Sequence, residues 1–422
     1  MQLSRVARVT TGAITLVVVA PACSPGTPPD GADGARSSSN SASSEVSSSL
    51  PAPVAVADRG SVVSQAPMRV DADGPLAGYD VTRIVYRSNA GYAPGDPDGD
   101  FGVRVSGIVV TPDGAPPAGG WPVVAVGHGT TGTDENCAPS LHPDLLGYAT
   151  QIARLVRAGS VVTATDYVGL GEPGTPHPYL IARSAAYSMI DAVRAARRVV
   201  PDTSDRWAAL GSSQGGQAAW AAAEWAGTDY GSGLRFVGAA ALAPAADVAP
   251  IADGYDRTPF RAPTFTTLQL GLIPLVLDGL KTVDPGLDES QYIRGGLAAG
   301  GAALAACGEG SEFQKYSALT QVRPGDATVA SPEALRALHD MLARSSLPRR
   351  RAAGPLFVAY GSRDQLVTPA WTAGAVRRAC VMGDTVDVTV EAGRGHTDLQ
   401  SGPEAVTWIG DRFAGRAAPS SC

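Results

Sequence analysis

Two kinds of apolar pattern follow one another along this chain, and their order predicts its fold class. Residues 81–88 (VTRIVYRS) and 101–112 (FGVRVSGIVVTP) alternate apolar and polar positions, as outer antiparallel strands do. Residues 121–129 (WPVVAVGHG), 160–167 (SVVTATDY), 206–213 (RWAALGSS), 235–244 (RFVGAAALAP) and 355–362 (PLFVAYGS) are nearly continuous apolar runs that end in glycine or a polar residue. Strands buried on both faces of a parallel sheet read this way. Residues 385–393 (TVDVTVEAG) alternate again, as an edge strand would. Helical spacing fills the intervals, over 146–157, 180–199, 214–226, 369–380 and 402–414. In 180–199, Ile181, Ala185, Met189, Ala192 and Ala196 share one face and Arg194, Arg197 and Arg198 lie opposite. Strand and helix in alternation predict an α/β fold: a mostly parallel central sheet with helices on both faces.

The rhythm breaks between 244 and 355. Residues 265–280, 295–310 and 331–346 read as helices with no strand between them, so a helical cap is expected over 248–350, inserted between the sixth and seventh strands. Ser331 fits the N-cap of the last of these helices, with Pro332 at its first position. The core is then expected over 66–247 and 351–422. Residues 24–60 are rich in Ser, Gly, Pro and Ala and cannot bury enough apolar surface to offset the entropy of ordering. A disordered tether is expected over 23–65.

The N-terminus changes the picture from a domain to an exported domain. Arg5 and Arg8 precede an apolar stretch at residues 9–20, too short to span a bilayer, and small residues follow up to Cys23. Residues 1–22 are expected to be a signal peptide. Cys23 sits where a bacterial lipoprotein carries its lipid, although Pro21 and the lack of a leucine three residues before it depart from that pattern. The expected location is therefore outside the cell membrane, either secreted or held at its outer face through Cys23. Four further cysteines, Cys137, Cys307, Cys380 and Cys422, suit disulfides in such a compartment. Three pairings are possible; the favoured one joins Cys137 to Cys307 and Cys380 to Cys422. Neither CxxC spacing nor clustered histidines accompany them, so no metal is expected. A net charge of −7 without a basic stripe argues against nucleic acid as a partner.

The chemistry centres on residues 209–216, ALGSSQGG. Ser213 lies in a G-x-S-x-G pattern, weak by itself in a chain with 50 glycines. Its setting strengthens it: a strand precedes Ser213 and a small-residue helix follows. A nucleophile on a sharp strand-to-helix turn requires flanking glycines, because a Cβ there would collide across the turn. A serine hydroxyl needs a base beside it. Of five histidines, His396 follows the last strand in a glycine-rich loop (EAGRGHTDL) and is the expected base. His128 is expected to pack or hydrogen-bond within its own loop. Asp364, just past the strand at 355–362, is the expected partner that fixes the imidazole tautomer; Asp398 competes, but lies too close to His396 in sequence. The order Ser, Asp, His is that of α/β-hydrolases. The oxyanion hole is expected from the backbone N–H of Gln214 and of Thr130 in the GHGTTG loop, with Thr131 as alternate. Asp166 and Tyr167, in the Gly-, Pro- and aromatic-rich stretch 165–180, are candidates to buttress the nucleophile turn; a structural loop with satisfied polar groups is the alternative.

GHGTTG, DYVGLG…HPYL, GSSQGG and GSRDQLVTP, in this order, resemble the secretory lipase family of α/β-hydrolases, which includes the yeast lipase A type and actinobacterial exported lipases. The resemblance covers roughly residues 75–415. It implies Ser213, Asp364 and His396 as the triad, a helical cap and the hydrolysis of lipid esters, and it supports the favoured cysteine pairing. Some members take an oxyanion donor from a loop aspartate; this loop reads Gly-Thr-Thr. An exported carboxylic-ester hydrolase acting on acylglycerols or other apolar esters is expected, with residues 265–280 lining an acyl tunnel and no cofactor. Acyl transfer or small-peptide hydrolysis with the same triad, or a non-catalytic surface binding protein, are the alternatives.

Overall fold

A computed structural model describes residues 50–255, 265–307 and 311–422. The expected signal peptide and Cys23 lie outside these residues, as does most of the expected tether. Nine strands form one sheet: β1 (Val62–Pro67), β2 (Asp80–Asn89), β3 (Gly102–Thr111), β4 (Trp121–Gly127), β5 (Val161–Thr165), β6 (Thr203–Ser212), β7 (Arg235–Leu242), β8 (Leu356–Gly361) and β9 (Val386–Glu391). Their spatial order is β1-β2-β3-β5-β4-β6-β7-β8-β9. The first three strands run antiparallel at one side, and β4 to β9 run parallel.

Residues that point to opposite sides of each central strand enter two separate cores. On β4, Val123 and Ala125 face one side while Val124 and Val126 face the other; on β6, Trp207 and Ala209 oppose Ala208 and Leu210. Helices α2 (Ala182–Val199), α3 (Gln214–Ala226) and α9 (Pro369–Val381) cover the first side. Helices α1 (Ala149–Arg157) and α10 (Gly402–Phe413) cover the second. This is the predicted α/β architecture.

Strand β1 corrects the expected tether. Residues 62–65 belong to this strand, which pairs with β2 and is mostly exposed. The extra strand also shifts the count: the long helical insertion falls between the seventh and eighth strands, not the sixth and seventh. It carries α4 (Thr267–Val283), α5 (Gly295–Ala299), α6 (Gly301–Ala305), α7 (Ser311–Gln321) and α8 (Pro332–Ser345). Thr266 and Gln269 close a reciprocal capping box on α4, and the Ser331 hydroxyl accepts from Ala334 N at the start of α8.

Among the described residues two disulfides are present, Cys137–Cys307 and Cys380–Cys422. The second lays the C-terminal tail along β9, where Ser421 N donates to the Val386 carbonyl and Val388 N to the Ser421 hydroxyl.

Candidate active site

The turn at Ser213 is built from close approach. Ser213 has φ 58° and ψ −118°, a left-handed conformation that non-glycine residues adopt only when their surroundings impose it. Its N–H donates to the Leu242 carbonyl at 2.9 Å, and its own carbonyl accepts from Gln217 N and Ala245 N, so three elements hold it. The first turn of α3 lies against the ends of β4 and β6. A Cβ on Gly211 would meet the Gly215 carbonyl, and one on Gly215 would run into the carbonyls of Gly127 and His128. The flanking glycines are therefore demanded by space.

Three side chains meet above the carboxyl ends of the parallel strands. Ser213 Oγ lies 2.9 Å from His396 Nε2, and His396 Nδ1 lies 2.7 Å from Asp364 Oδ2. Asp364 is 4% exposed. Its other oxygen accepts from Leu366 N at 2.8 Å and Val367 N at 3.0 Å. Those bonds orient the carboxylate and stabilise its charge. With Nδ1 donating to Asp364, Nε2 presents its lone pair to the hydroxyl, the arrangement that lets an imidazole take a proton. Asp398 plays a different part, accepting from Gly395 N and pairing with Arg394, and so shapes the loop that carries His396.

The GHGTTG loop runs beside Ser213. The Gly129 amide is occupied by the Tyr148 hydroxyl at 2.7 Å. Thr130 is held through its hydroxyl, 2.6 Å from Tyr179 Oη, and the Thr131 hydroxyl donates to the Cys137 carbonyl. The Cys137–Cys307 bond and a Thr133 N–Ala305 O hydrogen bond tie this loop to the end of α6. His128 is buried, its Nδ1 2.6 Å from the Gly129 carbonyl and its Nε2 3.3 Å from the Asp166 carbonyl. Burial lowers its pKa.

Gln214, directly behind Ser213, makes a contact the sequence did not suggest. Its side-chain Nε2 lies 3.0 Å from His177 Nε2, and His177 Nδ1 lies 2.7 Å from the Val168 carbonyl. His177 therefore donates through Nδ1 and accepts through Nε2, and burial drives its pKa down to about 4, keeping it neutral. Tyr148, Tyr179 and His177 are the supporting residues that sequence reading missed; only the aromatic density of 165–180 hinted at two of them. Tyr167 braces the GHGTTG loop and not the nucleophile turn, donating to the His128 carbonyl at 2.9 Å. Asp166 does not reach the nucleophile turn. Its carboxylate is occupied by the Ser106 hydroxyl and Ser140 N, which it joins beneath the loop.

Two chambers open on Ser213. The larger, about 770 Å³, is lined by Gly129, Thr130, Ser213 and His396 with Leu268, Leu272, Leu275 and Leu319 from the insertion. The smaller, about 40 Å³, is walled by Leu180, Val248, Ile251, Phe265, Ile273 and Val276. Among the described residues, no cluster of His, Cys, Asp and Glu gathers to hold a metal ion.

Known proteins share this architecture. Candida antarctica lipase A in its closed state superposes with a TM-score of 0.65 at 16% identity, over 86% of this chain and 84% of that one. The rice cell wall degrading esterase LipA from Xanthomonas oryzae superposes with a TM-score of 0.58 at 19% identity, over 84% and 96%. No curated protein matches by sequence at a significant level. Residues 147–421, which include Ser213, Asp364 and His396, match the sequence model of one family, and the chain accordingly belongs to the secretory lipase family.

Proposed function

We propose that this chain is an exported serine esterase or lipase that hydrolyses carboxylic esters with an apolar acyl arm, acylglycerols or similar. The reading rests on one observation above all: an unbroken hydrogen-bonded line from Ser213 Oγ through His396 to Asp364, opening on a cavity large enough for a lipid ester. Ser213 Oγ attacks the ester carbonyl while His396 Nε2 takes its proton, and Asp364 stabilises the imidazolium that forms. The tetrahedral oxyanion is received by the backbone N–H of Gln214, at the N-terminus of α3, and by that of Thr130, since the neighbouring Gly129 amide is already engaged by Tyr148. His396 then protonates the leaving alcohol. A water, deprotonated by the same imidazole, releases the acid from the acyl-enzyme.

Residues 248–350 act in this reading as a cap over the core, with α4 walling both chambers. Thr266 and Gln269 of that segment donate to the carbonyls of Gln365 and Leu366, so the cap is fastened to the loop that presents Asp364. Residues 1–22 direct export, which leaves the enzyme either secreted or held at the outer face of the membrane through Cys23.

Ser213→Ala should abolish turnover of p-nitrophenyl esters and labelling by a fluorophosphonate probe while the thermal transition is retained. Hydrolysis that survives the substitution refutes the assignment. A panel of esters from acetyl to oleoyl, run beside peptide substrates, ranks the acyl preference.

A further inference from the structure

The larger chamber has a charge pattern that hydrolysis of neutral esters does not require. Two cations line it, Arg154 from α1 and Lys315 from α7, and no acidic residue does among the described residues. Neither cation has an ion pair or a hydrogen bond to a described residue. The chain's other lysine, Lys281, is by contrast paired with Glu289 at 2.6 Å. Arg154 points its guanidinium at the first residue of α10: a Cβ on Gly402 would lie 3.3 Å from its Nη1. The positive end of that helix faces the same space, since Gly402 and Pro403 line the chamber.

Arg154 is exposed and Lys315 half-buried, and their sign is opposite to that of the molecule as a whole. At a net charge of −7 its overall field repels anions. Among the described residues, a wall with two cations and no acid is therefore a local reversal of sign, in the chamber that opens on Ser213. The smaller chamber has the opposite character. Its walls are apolar, and its one acidic group among the described residues, Asp247, is held by Arg378 at 2.8 Å. An ester bonded at Ser213 has two arms, and the two chambers differ as its arms would.

We propose that the enzyme selects amphiphilic esters with one compact apolar arm and one arm bearing an anionic carboxylate or phosphate, which Arg154 and Lys315 receive. This rests on the ester-hydrolase reading above and adds the class of substrate. The guanidinium offers a planar fork to such oxyanions and the ammonium a compact point charge. The contacts sit away from the bond being broken, so they act through substrate binding and appear in KM more than in kcat.

The test compares 4-butyryloxy-3-nitrobenzoate with its uncharged methyl ester, so that acyl group and chromophore are shared. The quantity read is the ratio of kcat/KM, anionic over neutral. In the double variant Arg154→Gln, Lys315→Gln this ratio should fall about tenfold, or about 1.4 kcal/mol, and 1 M salt should lower it in the wild type. Because wild type and variant meet the same pair, intrinsic differences in ester reactivity cancel. Thermal unfolding of the variant establishes that it is folded. Soluble carboxylate esters and short-chain anionic phospholipids both present this chemistry, so a second arm reads butyrate release from dibutyryl phosphatidylglycerol against dibutyryl phosphatidylcholine. A preference for the anionic member in either arm, lost in the double variant, supports the proposal and identifies the source. A ratio that does not move in either arm overturns it, and leaves the hydrolase reading standing if Ser213→Ala is inactive. Should Ser213→Ala still turn over both esters, it is the hydrolase reading that has failed.

Discussion

Replacing Asp364 by Asn preserves shape and removes charge, and the structure dictates how the new amide settles. Leu366 and Val367 direct their N–H groups at Oδ1, at 2.8 and 3.0 Å. The amide oxygen must take that place. Turned the other way, the –NH2 would face two donors and leave both unpaired, at a cost of about 1–3 kcal/mol each. The –NH2 therefore replaces Oδ2, 2.7 Å from His396 Nδ1. Nδ1 must then offer its lone pair, and the ring proton moves to Nε2, which faces Ser213 Oγ at 2.9 Å. An imidazole in that tautomer cannot accept the hydroxyl proton, and its imidazolium meets no counter-charge. In serine hydrolases of this design the same exchange lowers kcat by about 10⁴, or about 5.5 kcal/mol of barrier. A fall of about 10³–10⁴ in kcat on p-nitrophenyl butyrate is expected at about pH 8. Because the two backbone bonds survive, stability should change by about 1 kcal/mol or less in urea unfolding. A variant that keeps a tenth of the wild-type kcat would refute the role given to this carboxylate.

Other outcomes follow from the same structure. Gly215→Ala drives a Cβ into the carbonyls of Gly127 and His128, so soluble yield or kcat should fall by about 100-fold or more; near-normal turnover would mean the turn is looser than described. His177 is held neutral with a pKa of about 4, below its unfolded value. Its contribution to stability is therefore present above about pH 6.5 and is lost as pH falls towards 4, by about 1.4 kcal/mol per unit within that window. Denaturant midpoints measured across the window should fall less steeply in His177→Gln, and parallel slopes would count against the assignment. Removing the Cys380–Cys422 bond by Cys422→Ser releases a loop with a sequence separation of 42, worth about 4 kcal/mol of chain entropy. Equilibrium unfolding should register most of that loss, and a change below about 1 kcal/mol would show that the tail is held by other contacts.

The fold was legible where burial imposes a pattern. The five central strands are buried on both faces, so each appears as an apolar run closed by glycine or a polar residue, and the observed bounds fall within three residues of the expected ones. The site was legible because its three side chains follow strand ends in a fixed order, and because the glycines around Ser213 answer a steric demand that any sequence with this turn must meet. What escaped has a physical reason too. Strand β1 lies at the edge with most of its residues exposed, so VVSQAP carries no inward stripe. Helix α7 shows Phe313 and Tyr316 to solvent and buries only Ser311, so its apolar residues keep no helical period towards the core. The His177–Gln214 and Gly129–Tyr148 contacts join separate loops, and nothing local in either segment announces them.

The tail stapled along β9 has a consequence for how molecules of this protein meet one another. β9 is the last strand on its side of the sheet, and a bare outer strand invites other chains to add to it. Ser421 occupies its hydrogen-bonding groups at Val386 and Val388, and the bond from Cys422 to Cys380 keeps Ser421 there. Reduction of that single linkage would uncover a template for intermolecular strand addition. Clumping of the Cys422→Ser enzyme at high concentration, with the hydrolytic centre itself undisturbed, is the behaviour this arrangement guards against.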